Sequence, residues 1–346
     1  MEDVLEKPVA RYVGRLAPSP TGALHLGNVR TFMVAWLRAR RAGGRLIMRM
    51  DDLDHPKDKP GAAAAALDDL RWLGFDWDEE AVQSERIDVY RQALTAIRDR
   101  IYPCVCSRRD VEAAQSAPHA GEQLYYPGTC RGRFPTWSAA LAFKQSSLAG
   151  SSSSSLSPFY LRHQTFPCWR FRVPDRSVVA FDDVFAGRYE QDVSATLGDF
   201  PLARDEFGAG YTFASAVDDL LLGVTEVVRG DDLLPATPAQ ILLSRALLPH
   251  VSTVRTPRLP DYLHVPLVVG PDGKRLAKRH GDTRVSTFRA QGRRPEEIVG
   301  FLAASCGWTA RGEPVALADL LPRFDLATLP HAPFVVPQLT ADGGKW

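Results

Sequence analysis

The sequence predicts an α/β fold with a parallel sheet, interrupted by an inserted subdomain. Three observations carry this. Strand and helix signals alternate through the first hundred residues, and alternation of that kind builds parallel sheets. The pattern breaks between about Ile101 and Arg204, where cysteines, glycines, prolines and short strand candidates replace it. It then resumes from Tyr211. At 346 residues the chain can hold one large domain or two smaller ones. Its 45% apolar and 24% charged content is ordinary for a globular protein.

In chain order, Tyr12 to Leu16 reads as a strand, followed by R-L-A-P-S-P-T-G-A-L-H-L-G-N at residues 15 to 28. Pro18, Pro20, Gly22 and Gly27 stop both regular structures, so this is a shaped loop, and Val29 to Arg41 reads as the helix it feeds. Strand, glycine-bearing loop and helix N-terminus form an arrangement that receives anions. Arg45 to Met50 is the next strand. Ala62 to Leu73, ended near Gly74, and Ile87 to Arg98 are helices. Within the insertion, Cys168 to Val173 is a short strand, and Gln145 to Pro158 is a Ser-rich segment with nothing to bury, expected as a flexible surface loop. After it come Tyr211 to Asp219, a strand at Thr225 to Val228, and a helix near Ala239 to Leu248 with Pro238 at its start. The C-terminal part is helical, notably Pro295 to Ser305, and proline-rich at its end. The expected organisation is therefore residues 10–100 and 205–265 as two halves of one α/β domain, 101–204 as the insertion, and 266–346 as a phosphate loop with a short helical C-terminal region.

Net charge is only +1, which neither implies nor excludes a nucleic-acid partner. The N-terminal M-E-D-V-L-E-K lacks a secretory pattern, and no apolar run reaches membrane-spanning length. Five cysteines, with Cys104 and Cys106 too close for an easy mutual bridge, fit a reducing compartment. A cytoplasmic location and no membrane partner are expected.

Two segments carry phosphate chemistry. In the first, His25 can donate a ring N–H to a phosphate oxygen, and Gly27 lets a nucleotide approach the backbone. The second reads G-P-D-G-K-R-L-A-K-R-H-G-D at 270 to 282. Lys274, Arg275, Lys278 and Arg279 gather cations in a glycine-bearing turn that can close on a triphosphate and neutralise charge in a transition state. Neither a G-x-G-x-x-G nor a Walker pattern is present. Cys104 and Cys106 can share a tetrahedral ion with Cys130 on a returning loop; from spacing alone His119, Cys168 and Tyr126 are all open as the fourth ligand. Arg15 and Arg229 stand at the ends of strand-like stretches, as does Asp51, where ligands gather in α/β sheets.

Together these segments resemble the class I aminoacyl-tRNA synthetases. His25-Leu26-Gly27-Asn28 is similar to the family's His-Ile-Gly-His motif, with Asn28 in place of the second histidine. Arg275-Leu276-Ala277-Lys278-Arg279 is similar to its Lys-Met-Ser-Lys-Ser motif, with Arg275 replacing a lysine and Ala277 removing a hydroxyl. The glutamate branch is the best match. R-M-D-D-L-D at 49 to 54 resembles its Arg-Ile-Glu-Asp-x-Asp, with Asp51 for glutamate. G-D-F-P-L-A-R-D, Y-T-F-A-S-A-V-D-D at 211 to 219 and V-V-R-G-D-D-L at 227 to 233 follow in the same order, so the resemblance runs from about residue 11 to 305. Residues 279–346 leave no room for a second sizeable core, which points to the shortened glutamyl-queuosine branch rather than to an ordinary glutamyl-tRNA synthetase.

The resemblance implies a Rossmann-like class I synthetase catalytic domain, with a zinc-binding inserted subdomain. It implies activation of L-glutamate by ATP, with Mg²⁺, and transfer to the queuosine base at the wobble position of tRNA(Asp). Its alternatives are a truncated synthetase charging a terminal ribose and a non-catalytic tRNA-binding module. His25 and Lys278 would be catalytic; His25, Gly27, Asn28, Arg275 and Lys278 would hold ATP. Arg15, Ala17, Ser19, Asp51, Tyr211 and Arg229 would line the glutamate site. The resemblance selects Tyr126 beside Cys104, Cys106 and Cys130 as the ligands of one structural Zn²⁺. A monomer is expected. Asp182 and Asp183, in F-D-D-V-F-A-G, are read as turn formers without a catalytic role.

Overall fold

The computed structural model describes residues 12–20, 22–53, 60–113, 124–148, 166–203, 208–250, 258–274, 276 and 282–337. Its first layer is a parallel sheet of β1 (Val13–Leu16), β2 (Arg45–Met50) and β3 (Glu79–Val82), with β2 central. β1 is wholly buried and β2 nearly so, as strands covered by helices on both faces must be.

The insertion is built on β4 (Ile101–Cys104), β5 (Cys168–Phe171) and β8 (Pro201–Ala203), an antiparallel set with β5 in the middle. Between β5 and β8 stands a hairpin of β6 (Val178–Asp183) and β7 (Gly187–Asp192). The chain then returns through the helix Tyr211–Leu221 to β9 (Glu226–Gly230), which pairs in parallel with β10 (Asp261–Val265). β9 lies alongside the first sheet: Thr225 N donates to Val13 O at 2.8 Å and Arg15 Nη1 to Val228 O at 2.9 Å. The C-terminal ends of β1, β2 and β9 are thereby gathered at one edge, where residues 15 to 19, 51 and 229 emerge.

β11 (Val268–Val269) pairs with β12 (Phe334–Val335), so the end of the described chain returns to the segment that leads into residues 270 to 282. One apolar core joins β1, β2 and the helix Leu26–Arg41 to the helix Pro295–Ala304 and to Trp308, Leu317 and Phe324. A second joins Trp169, Phe171 and Phe200 of the insertion to Phe213, Leu243 and Tyr262. A third, small one surrounds Cys104, Tyr126 and Cys130.

Several boundaries differ from the sequence reading for local reasons. The first helix starts at Leu26 rather than Val29, because His25 caps it reciprocally with Asn28. The helix expected to Arg98 ends at Ala96 and tightens into a 3₁₀ turn. Gln145 to Leu148 are not loop but the last turn of the helix Trp137–Leu148, which buries Trp137 and Ala140; residues 149–158 of the Ser-rich segment lie outside the described residues. Among the described residues no helix is long and apolar enough to cross a membrane.

Candidate active site

At the first phosphate motif, His25 is the N-cap of a sixteen-residue helix. Its Nδ1 accepts from Gly27 N at 3.1 Å, and Asn28 Oδ1 accepts from His25 N at 3.2 Å. A neutral ring that accepts at Nδ1 carries its proton on Nε2, so this contact sets which nitrogen can donate onward. Gly27 leaves room for this ring: a Cβ there would stand 3.0 Å from His25 Cε1 and 3.1 Å from Nδ1, so the ring would have to give by a few tenths of an ångström. The residues just after the second motif pair with this segment. Leu26 N donates to Thr283 O at 3.1 Å and Val285 N to Leu24 O at 2.9 Å, with a bridge between His25 and Arg284. Arg275 and Lys278 lie outside the described residues.

The residues expected to receive the amino acid gather on a buried ion network. Arg49, fully buried, forks onto Asp51 with Nε–Oδ1 at 2.6 Å and Nη2–Oδ2 at 3.1 Å, and sends Nη1 to Asp219 Oδ1 at 2.8 Å. Arg15 Nε meets the same Asp219 oxygen at 3.3 Å. Burial pushes the Asp51 carboxyl above its ordinary pKa, against the pull of Arg49. Burial works against the Arg49 charge, yet Asp51 and Asp219 hold its pKa above the ordinary value. Asp51 N donates to Pro18 O at 2.9 Å, which brings the Ala17–Ser19 turn beside this network; Ser19 is exposed there. Ser215 Oγ lies 3.3 Å from Arg49 Nη2, one helical turn after the half-exposed Tyr211.

Arg229 is buried on the neighbouring strand. It bonds Gln240 Oε1 and Thr237 Oγ1 at 2.7 Å each and His264 Nε2 at 3.1 Å, and its guanidinium stands over the Tyr262 ring at 5.4 Å. Each of these partners is formally neutral, so the Arg229 charge is uncompensated by them. A positive receptor of this kind suits a carboxylate.

At the cysteine group, the Sγ atoms of Cys104, Cys106 and Cys130 lie within 4.8 Å of one another. Tyr126 Oη is 3.3 Å from Cys104 Sγ and 3.7 Å from Cys106 Sγ, and Cys106 and Cys130 are 3.5 Å apart. Four soft or anionic donors at these separations are close to the ~3.8 Å edges of a tetrahedron with ~2.3 Å metal–sulfur bonds, so the donor set fits a tetrahedral ion. Gly198 makes the site possible, since a Cβ there would lie 2.2 Å from Tyr126 O, and its positive φ of +66° suits glycine. The Cys106, Cys130 and Cys168 thiols, with Arg170, hold Cys104 far below the usual thiol pKa. Cys168 faces Cys104 across β4–β5 yet stands outside the three-thiol group, and His119 lies outside the described residues.

Sequence reasoning missed Arg49, Asp219, His264 and Arg170. Arg170 Nε donates to Cys104 Sγ at 3.2 Å while its guanidinium covers the Tyr126 ring at 3.7 Å. Charged residues inside otherwise apolar runs, R-L-I-M-R-M, A-V-D-D-L-L, Y-L-H-V and C-W-R-F, were the available signal. Asp183, read as a turn former, does accept from Phe185 N and Ala186 N at 3.0 and 2.8 Å, but it also holds His264 Nδ1 at 2.6 Å.

Comparison with known proteins gives the family of the chain. Residues 12–134 and 161–326 match the model of the tRNA synthetases class I (E and Q), catalytic domain. The glutamyl-Q tRNA(Asp) synthetase of Symbiobacterium thermophilum is 44% identical, over 94% of this chain and 96% of the relative. That of Rhodopirellula baltica is 42% identical over the same shares. The crystal structure of a glutamate tRNA ligase from Elizabethkingia meningosepticum, in complex with its amino acid, superposes with a TM-score of 0.72 at 26% identity, over 95% of this chain and 68% of that one. A match over most of the chain to this family model and to these relatives leads to one conclusion: the chain belongs to the class I tRNA synthetases for glutamate and glutamine, a ligase family, and within them to the glutamyl-Q tRNA(Asp) synthetases.

Proposed function

We propose that the chain activates L-glutamate with ATP and transfers it to queuosine at the wobble position of tRNA(Asp). The observation that carries this reading is the match to glutamyl-Q tRNA(Asp) synthetases over 94% of this chain and 96% of each of the two relatives, against 68% of the glutamate tRNA ligase structure. In the first step an α-carboxylate oxygen of glutamate attacks the α-phosphorus, the bond to the leaving pyrophosphate breaks, and glutamyl-adenylate remains. In the second a queuosine ring hydroxyl attacks the acyl carbon, the bond from that carbon to the phosphate oxygen breaks, and AMP leaves as the hydroxyl proton is released.

Positioning and charge stabilisation dominate such a step, since little proton transfer is involved. His25, donating from Nε2, and Lys278 hold phosphate oxygens, with Gly27, Asn28 and Arg275 completing the ATP site. Mg²⁺ carried with ATP supplies further charge neutralisation on the phosphates. Arg229 and Arg15 receive the side-chain carboxylate of glutamate, with Tyr211 adding a hydroxyl. Asp51, Ser19 and the Ala17 backbone receive its ammonium. Both Asp51 oxygens already accept from Arg49, so this carboxylate presents its remaining lone pairs in a fixed direction. Cys104, Cys106, Tyr126 and Cys130 would hold one Zn²⁺, whose four protein ligands leave it a structural role in the 101–204 insertion.

The test is to supply ATP, labelled glutamate and tRNA(Asp) with or without queuosine, digest the tRNA with nuclease and weigh the fragments. The label is expected on the queuosine-bearing anticodon fragment and absent from tRNA lacking queuosine. Label on the terminal adenosine, or equal labelling of both tRNAs, overturns the assignment.

A further inference from the structure

Behind Arg229 lies a chain of buried polar groups that the amino-acid site does not itself account for. Asp183 closes β6 in the insertion, His264 stands in β10, and Arg229 in β9; all three are more than nine-tenths buried. Asp183 Oδ1 accepts three backbone N–H groups, from Phe185 at 3.0 Å, Ala186 at 2.8 Å and His264 at 3.2 Å. That leaves Oδ2 for His264 Nδ1 at 2.6 Å. A carboxylate so loaded can only accept, so His264 must donate from Nδ1 and keep a lone pair on Nε2. Nε2 is the atom that receives Arg229 Nε at 3.1 Å. Burial together with the neighbouring Arg229 charge holds the His264 pKa below its ordinary value, in keeping with a neutral ring.

From this geometry we infer that His264, locked in one tautomer by Asp183, is the positioning residue that aims the Arg229 guanidinium at the side chain of the amino-acid substrate. The inference rests on the reading of Arg229 as a glutamate receptor. Arg229 has five N–H donors. Nε is taken by His264, one Nη1 donor by Gln240 and one Nη2 donor by Thr237. His264 Nε2 and Thr237 Oγ1, 3.1 Å apart, take the Nε–Nη2 edge and Gln240 takes Nη1, which fixes the plane of the guanidinium; the donors left, one on each terminal nitrogen, form the fork that a carboxylate fits. Without the acceptor at Nε2 the plane can rotate about the remaining two bonds, and the fork loses its direction. The same chain of bonds ties the β6–β7 hairpin of the insertion to the substrate arginine.

Three substitutions test this in ATP–pyrophosphate exchange. His264→Phe keeps a ring but removes the acceptor. Asp183→Asn has a sharper consequence: the three backbone N–H donors retain the amide oxygen, so the amide NH₂ turns to Nδ1, the ring proton moves to Nε2, and two donors then face each other at Arg229. His264→Gln returns an acceptor near the Nε2 position. The expected result is a rise of about tenfold to a hundredfold in KM for glutamate in His264→Phe and Asp183→Asn, the size of a lost hydrogen bond to a charged group. KM for ATP and the maximal exchange rate should change by less than about threefold, and His264→Gln should recover most of the loss. Glutamate KM unchanged in both damaging variants, or KM for ATP rising in parallel, overturns the inference, because a structural defect would not single out the amino acid. Arg229→Lys, measured alongside, separates the two levels: unchanged glutamate KM there removes the receptor reading and the relay with it, whereas a raised KM there with none in His264→Phe removes the relay alone.

Discussion

Replacing Arg49 by methionine takes away the guanidinium that Asp51 and Asp219 share. Methionine keeps much of the stem volume, so the perturbation is chiefly electrostatic. Three bonds to carboxylate oxygens are lost, at 2.6, 2.8 and 3.1 Å, together with one to Ser215 Oγ at 3.3 Å, in a place where Arg49 has no exposure at all. Removing one partner of a buried ion pair typically costs about 3–5 kcal/mol, because the other charge stays buried. Asp219 keeps Arg15 at 3.3 Å, which favours the lower figure, about 3 kcal/mol. With an unfolding entropy of about 2.1 cal/mol/K per residue over 346 residues, that lowers the melting temperature by about 4 °C. The loss should depend on pH. Burial already raises the Asp51 pKa, and Arg49 is the main influence opposing it, so the variant carboxyl rises further. A folded-state pKa above the unfolded value of about 3.9 means that the protonated form is favoured by folding. The penalty is therefore small at low pH and grows as pH rises through the folded value. Urea denaturation of both proteins at pH 5 and pH 8 should show a larger deficit at pH 8. A deficit below about 1 kcal/mol, or one equal at both pH values, refutes the claim that Arg49 neutralises these buried carboxylates.

Other outcomes follow from the remaining sites. Protein purified without added metal or chelator should carry about one zinc per chain by elemental analysis, and Cys130→Ala should lose it and destabilise the insertion while leaving pyrophosphate exchange largely intact; absence of zinc from the native chain refutes the metal assignment. Gly27→Ala drives a Cβ to 3.0 Å from the His25 ring, so the ring must shift by a few tenths of an ångström, and KM for ATP should rise about tenfold in the exchange assay. Lys278→Ala should lower the maximal exchange rate about a hundredfold, since its charge is most useful as pyrophosphate leaves; an unchanged rate removes that role. Glutamine should be activated at least about a hundredfold less efficiently than glutamate, because a neutral amide leaves the arginine fork incompletely paired.

Much of this could be read from residue order because local chemistry and fold agree there. Proline and glycine around His25 can build only a loop, and the apolar run after it only a buried helix, so residues 12 to 41 were legible. Arg15, Asp51 and Arg229 were legible as candidates because each ends a strand-like run, and strand ends are where α/β sheets place ligands. What orients them was not. Arg49 and Asp51 are two apart and would be drawn on the same face of a strand, but nothing local says that Asp219, at the far end of the insertion, closes the set. His264 and Asp183 are 81 residues apart and meet only because the β6–β7 hairpin folds against β10. Pairings across such distances belong to tertiary structure. Their trace in the sequence is a charged or polar residue where an apolar one would serve, and that trace names one partner without the other.

The stitching between the two nucleotide motifs has an entropic consequence. Thr283 and Val285 are hydrogen-bonded to Leu26 and Leu24, on either side of His25, and Gly270 follows a strand pair held by the returning C-terminal segment. Both ends of the segment that carries Lys278 are therefore fixed to the body that carries His25. The two anchored ends, Val269 and Thr283, bound a short loop whose closure is built into the folded structure. The chain entropy of joining those two ends is lost once, when the protein folds. The pairing of Phe334 and Val335 with Val268 and Val269 thus holds one end of that loop in place, so residues far along the chain fix where it starts.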